Sequence, residues 1–169
     1  MSTETQESID VGPTKPVKEH EWLKNFIGEW KTEAEMTMPD GSSSTSTGTE
    51  SVKDFGGLWA FGEGGGTMPD GDNMEYKTGL GYDVSFKGYR GFWIANMSSH
   101  LWKYEGELSA DGKVMTLNCE GPDMMHDGKT ANYRDVHTLI DKDHRKMESF
   151  AEQEDGSWVK FMTVNYTRA

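Results

Sequence analysis

Trp30-Lys31-Thr32-Glu33-Ala34-Glu35-Met36-Thr37-Met38-Pro39-Asp40-Gly41 holds both a strand pattern and the turn that ends it. Its even positions are apolar or small and its odd ones polar as far as Met38, the period of a strand with one face buried. Pro39 then presets φ for a turn, and Gly41 can adopt the left-handed conformation that returns the chain to the ladder. The same pentapeptide, Thr-Met-Pro-Asp-Gly, recurs at residues 67–71. It reads as repeated turn chemistry, not as a repeated domain.

Outward from this stretch, Asp-Gly pairs stand at Asp40-Gly41, Asp70-Gly71, Asp111-Gly112, Asp127-Gly128 and Asp155-Gly156. This dipeptide is the strongest short-range hairpin signal. Weaker breaks at Gly56-Gly57, Phe86-Lys87-Gly88, Ser98-Ser99 and Asp141-Lys142-Asp143 fill the gaps, so that nine turns divide Gly28 to Ala169 into ten segments of strand length. Ten hairpin-linked strands are too many for a flat sheet. The expectation is an all-β, up-and-down antiparallel barrel, closed so that no edge is exposed, in preference to a sandwich with long crossovers. Before it, Trp22, Leu23, Phe26 and Ile27 share one face at helical spacing and Gly28 follows as a stop signal. One to two helical turns are expected there, plugging one end of the barrel.

Leu, Ile, Val and Phe together make only 26 of 169 residues, and the formal net charge is −12. That combination ordinarily points to disorder. Six Trp, six Tyr, seven Phe and eleven Met supply the missing buriable surface, so the expected core is aromatic and thioether. Residues 1–18 lack periodicity and read as a disordered acidic tail, with the barrel domain over residues 19–169. The acidic balance argues against nucleic acid and anionic membrane as partners. No apolar run is long enough for a membrane span, and Met1 to Glu21 has no apolar stretch for a secretory leader. The single cysteine, Cys119, can form no internal disulfide. A cytoplasmic protein is the expectation.

In a closed barrel the first and last strands are neighbours, which brings Trp30 to Arg168 near the plug, where a guanidinium can stack on indole and donate to helix carbonyls. Gly28-Glu29-Trp30 with a terminal-strand Arg168 resembles the calycin superfamily of lipocalins, fatty-acid-binding proteins and nitrobindins. A resemblance over nearly the whole ordered chain is carried by LKNFIGEW (23–30), GLGYD (79–83), GFWIANMS (91–98), DGKVMTL (111–117) and NYTR (165–168). It is to the bacterial family known as domain of unknown function 1579. Asn96 stands where that family commonly has Asp. The resemblance implies a calycin-like barrel and no established activity.

A barrel of this width can keep an internal space for a small ligand. Trp102, Tyr104, Gly106 and Leu108 alternate with charged residues, as do Met115, Leu117 and Cys119 with polar ones, so both sets should face inward. Binding of a small apolar or amphipathic molecule is the leading expectation. Its candidate contacts are Trp93, Asn96, Trp102, Tyr104, Met115, Cys119, Arg134, His137 and Glu148. Neither face of residues 132–140 is cleanly apolar, so the phase of Arg134 and His137 is open; an inward Arg134 could bind a carboxylate or pair with Glu148 or Glu50. The five histidines lack two-ligand helical spacing, so no metal site is expected. The nitrobindin resemblance implies haem as the alternative, through His137 or His100. A cofactor-free isomerase or lyase ranks third. Large apolar groups on both faces of residues 89–97 suggest an outer wall covered by a second subunit, a homodimer.

Overall fold

The computed structural model describes residues 11–68 and 70–169. A plug helix of 3-10 type over Lys18–Asn25 leads into ten strands: β1 Gly28–Thr37, β2 Ser43–Phe55, β3 Trp59–Thr67, β4 Asn73–Asp83, β5 Gly88–Ala95, β6 Ser98–Leu108, β7 Val114–Pro122, β8 Thr130–Asp141, β9 His144–Glu152 and β10 Trp158–Arg168. Each strand runs antiparallel to the next, and β1 pairs with β10 to close the barrel. This is the expected all-β up-and-down architecture. The expected tail falls mainly on residues 1–10, which lie outside the described residues.

Four of the five Asp-Gly turns share one chemistry. In each, the Asp carboxylate accepts the backbone N–H two residues on, as Asp40 does from Ser42, Asp70 from Asp72, Asp111 from Lys113 and Asp155 from Ser157. The Gly takes positive φ and its N–H closes the turn three residues back. The repeated pentapeptide is thus two copies of one turn. One expected break is displaced: the chain turns at Asn96-Met97, not Ser98-Ser99. There Asn96 Oδ1 accepts the Glu75 N–H at 3.1 Å and ties the turn to β4.

The plug closes one end by hydrogen bonds from three strands and a turn. Trp22 Nε1 donates to the Gly112 carbonyl at 2.7 Å, Tyr89 Oη to the Glu19 carbonyl at 2.7 Å, Trp30 Nε1 to the Phe26 carbonyl at 2.9 Å, and His20 Nε2 meets the Tyr82 carbonyl at 3.1 Å. Trp30 lies opposite Arg168 in the β1–β10 register. The Arg168 guanidinium sits 4.2 Å from the Trp30 ring centroid and donates to the Ile27 carbonyl at 2.7 Å and the Lys142 carbonyl at 3.1 Å. Gly28 has φ of 132°, and a Cβ there would collide with that guanidinium. The Gly-x-Trp triplet and Arg168 are one clamp, which explains why glycine is required.

On the outer wall, Trp59 and Phe92 are paired in register with Gly81 and Gly79, and their rings occupy the space where those glycines lack a side chain. These aromatics bury one ring face on the glycine backbone of β4. That gives the double-faced apolar character of β5 one source within the chain itself.

Candidate functional site

The inward phase of β8 and β9 is set by Met147, which is buried while its neighbours Lys146 and Glu148 reach each other and Lys160 outside. Period-two alternation then turns Arg145 and Ser149 inward with it. Register places His137 opposite Met147 and Asp135 opposite Ser149, so Tyr133, Asp135, His137 and Leu139 form the inner face of β8. Two polar clusters result, one above the other in the bore.

The lower cluster lies against the plug. Arg145, 3% exposed, donates through Nη2 to Glu50 at 2.6 Å, and Tyr76 Oη donates to the other Glu50 oxygen at 2.8 Å. The guanidinium is surrounded by rings, with centroids at 3.7 Å for Tyr166, 4.5 Å for Phe26 and 4.7 Å for Trp30. Its Nε has no hydrogen-bond partner among the described residues, and the π-faces supply the compensation. His137 stands beside it with Nδ1 3.5 Å from Arg145 Nη1. Burial, then the Arg145 charge, pull the His137 pKa down to about 3, so this imidazole is neutral at neutral pH.

The upper cluster is centred on Asp135. Tyr104 Oη donates to Oδ2 at 2.6 Å and Ser149 Oγ to Oδ1 at 2.6 Å. Ser149 Oγ also lies 3.1 Å from Met147 Sδ, so its hydroxyl has a second acceptor. Among the described residues no Lys, Arg or His makes an ion pair with Asp135. Burial raises its pKa against the lowering effect of the two hydroxyls. Burial and then the Asp135 charge push the Tyr104 phenol well up and the Cys119 thiol up to about 12, so both stay protonated.

Above Asp135 the bore is lined by rings seated on glycines. Trp102 lies where a Gly121 side chain would be, edge-on to Tyr133 with centroids 5.2 Å apart; Tyr76 lies over Gly64 and stacks on Trp93 at 5.5 Å. Thr32, Thr78, Trp93, Trp102, Cys119 and Asp135 point inward yet stay partly exposed, so the bore at this level is not filled by side chains. Two clefts open on the rim at the end opposite the plug. One of about 520 Å³ lies between the β7–β8 loop and the β9–β10 turn, lined by Asp123, Met124, His126, Tyr133, Glu152 and Glu154 among others. The second, of about 720 Å³, lies along the β3–β5 rim and includes Glu63, Tyr76, Lys77 and Asn96.

The sequence-predicted contacts thus separate. Trp93, Trp102, Tyr104 and Cys119 face the bore. Met115 also faces in but is fully buried among core residues, and Asn96 is exposed in a rim turn. Arg134 faces out: it lies 3.8 Å over the Trp158 ring and donates to Asn118, because its register partners Asn118 and Phe150 belong to the outer face. Glu148 likewise faces out, between Lys146 at 3.3 Å and Lys160 at 3.1 Å. Glu50 pairs with Arg145, not with Arg134. Asp135, Ser149, Arg145 and Tyr76 were not singled out from the sequence. The signal available was the Lys146-Met147-Glu148 triplet, whose outward charges fix the phase of β9 and, through it, of β8.

Neither candidate imidazole is placed as a haem ligand. His100 meets the Glu120 carbonyl through Nε2 at 3.0 Å and stands edge-on to Trp102 at the mouth. His137 packs against Phe26 of the plug, centroids 5.1 Å apart, at the level filled by Trp30, Tyr166 and the Glu50–Arg145 pair. The space beside the His137 ring is taken up by these groups.

These features define a plugged, ten-stranded antiparallel barrel with a polar interior and one open rim. The chain belongs to the family described as Protein of unknown function (DUF1579), which matches residues 15–168. No curated protein sequence matches it. Among solved structures it is similar to an S-type phycobiliprotein lyase, CPES, from Guillardia theta, with a TM-score of 0.61, 10% identity, and coverage of 90% of this chain and 93% of that one. It is also similar to Rv2717c from M. tuberculosis, with a TM-score of 0.65, 11% identity, and coverage of 92% and 99%. At such identities the likeness is one of fold. Among the described residues no helix is long and apolar enough to cross a membrane.

Proposed function

We propose that the upper bore binds a small amphipathic organic molecule that enters at the end opposite the plug. The observation that carries this reading is the partial exposure of inward-facing Trp93, Trp102, Cys119 and Asp135 at a level where the barrel wall surrounds them. Rings and sulfur atoms would take up the apolar body, and the Asp135–Tyr104–Ser149 cluster would orient the polar end. The similarity to a lyase of the same fold supports a role in holding an organic molecule. A second reading, proton transfer to a bound molecule, is favoured by one observation: an interior carboxyl with a raised pKa and hydroxyls on both oxygens. The sole cysteine, a free thiol, fits a reducing compartment such as the cytoplasm.

The test uses N-phenyl-1-naphthylamine, an uncharged dye whose emission rises in apolar surroundings. The wild-type chain is expected to enhance its emission saturably. Ala34→Trp and, separately, Ser46→Phe, which fill the bore from β1 and β2, are expected to weaken binding at least tenfold while circular dichroism stays unchanged. Equal binding by folded variants, or no binding by the wild type, overturns the proposal.

A further inference from the structure

We infer that the ligand of the upper bore is an organic cation, a protonated amine or a quaternary ammonium carrying an apolar body, with Asp135 as its counter-ion. This deepens the interior-binding reading and rests on it.

Three independent observations converge. The first is a charge imbalance. Among the described residues the one buried cation is Arg145, and Glu50 already holds it at 2.6 Å, whereas Asp135 has only the hydroxyls of Tyr104 and Ser149. Two O–H donors satisfy part of a carboxylate's capacity but none of its charge. The second is the wall. Trp93, Trp102 and Tyr76 line the space above Asp135, and aromatic faces attract a desolvated cation. Among the described residues no Lys or Arg joins them on the inner face of the bore at that level, so an anionic ligand would meet Asp135 without compensation. The third is the approach. Of the two rim clefts, one carries Asp123, Glu152, Glu154 and Asp155 with a single His126, the other Glu63 and Glu75 with a single Lys77, and the sequence carries a net charge of −12. A cation is drawn toward such a mouth and an anion repelled.

The cluster is also built to change its protonation state. With Asp135 neutral, its O–H can donate to Ser149 Oγ while the Ser149 hydroxyl turns to Met147 Sδ, 3.1 Å away. With Asp135 ionised, Ser149 turns back and donates to it, as does Tyr104. The groups facing Asp135 do not compete for the proton. Tyr104 from β6, Cys119 from β7 and Tyr166 from β10 remain protonated, and His137 on its own strand remains neutral. A bound cation would favour the ionised carboxylate, and any proton that Asp135 carries leaves to solvent as the cation enters, so each proton released is balanced by one positive charge taken up.

The experiment compares phenyltrimethylammonium, its uncharged isostere tert-butylbenzene, and 4-tert-butylbenzoate on the full chain. Binding is followed by the indole resonances of Trp93 and Trp102. The permanently charged probe is expected to bind at least tenfold more tightly than the isostere, the benzoate more weakly than either. Its affinity is expected to rise with pH through the titration of Asp135, with proton release seen by calorimetry in buffers of different ionisation enthalpy. Asp135→Asn should abolish the preference for the cation and leave the isostere's affinity within twofold, while exposed Glu33→Gln should change neither. If the isostere and the cation bind equally, or the benzoate binds best, the cation inference fails and interior binding stands. If none of the three shifts the indoles, interior binding itself fails. Should Asp135→Asn not fold, the pH dependence and proton release of the wild type decide alone.

Discussion

Two carboxylates sit in the bore of this barrel, and their surroundings differ in kind. Glu50 has a guanidinium at 2.6 Å, a phenol at 2.8 Å and a shell of aromatic rings around its partner. Asp135 has two hydroxyls and no cation. A fully paired charge beneath the plug is a part of the fold, because its desolvation is offset within the molecule. A carboxylate left with neutral donors at a level where the bore is open offers its remaining capacity to whatever enters. The contrast separates an end where the carboxylate is paired with a cation from a middle where it has only neutral donors, within a single polar interior.

The largest test of that contrast is removal of one partner below. Glu50→Ala leaves Arg145 buried without a counter-ion, and urea unfolding is expected to show a loss of about 3–5 kcal/mol. The double variant Glu50→Leu with Arg145→Met should recover most of it. If Glu50→Ala costs no more than Asp135→Ala, the distinction between the two acids is void.

The second test is pH. Folded His137 takes its proton only near 3, whereas an unfolded histidine does so near 6.5. Between those values the unfolded chain binds more protons, so stability present above pH 6.5 is lost as pH falls, by about 2 kcal/mol at pH 5. His137→Gln should remove that slope in thermal or urea unfolding. Asp135 acts in the opposite sense. Its raised pKa makes the folded state the better proton binder, so its contribution falls as pH rises above the unfolded value near 3.9. Asp135→Asn should accordingly stabilise the protein at neutral pH by on the order of 1 kcal/mol, the usual return for relieving a strained functional group. A destabilised Asn variant would place Asp135 with Glu50 among the groups that hold the barrel together. The smallest effect belongs outside: Glu148→Gln, which loosens the surface ion pairs to Lys146 and Lys160, should change stability by about 0.5 kcal/mol or less.

The barrel was legible in the sequence because its turns are written in local chemistry. The Asp-Gly pairs and their Asp-capped turns mark strand ends without reference to anything distant, and Gly28, Trp30 and Arg168 combine a local constraint with the closure that strand number implies. The interior was only half legible. β6 and β7 alternate apolar with polar residues, so Trp102, Tyr104 and Cys119 could be placed. β8 does not, since its inner face carries Asp135 and His137 while its outer face carries Val136 and Ile140. A polar side chain inside is stabilised by partners from other strands, and those partnerships, Tyr104 with Asp135 across 31 positions and Glu50 with Arg145 across 95, leave no trace in local periodicity. Arg134 and Glu148 were drawn toward the site by their charge alone, and the phase of β9 sends both outside.

The seam between β1 and β10 pairs Trp30 with Arg168, so the first strand made receives its second neighbour only when the last strand has been made. On the ribosome, β1 can zip to β2 early, but its other edge stays open while more than 130 residues are polymerised. That edge is where a growing chain would pair wrongly with another copy. Its outward positions are the charged Lys31, Glu33 and Glu35 and the polar Thr37, side chains that solvate an open strand. The arrangement makes β10 the strand that completes the wall, and it predicts that chains stopped short of β10 would be captured by chaperones as unfinished sheets.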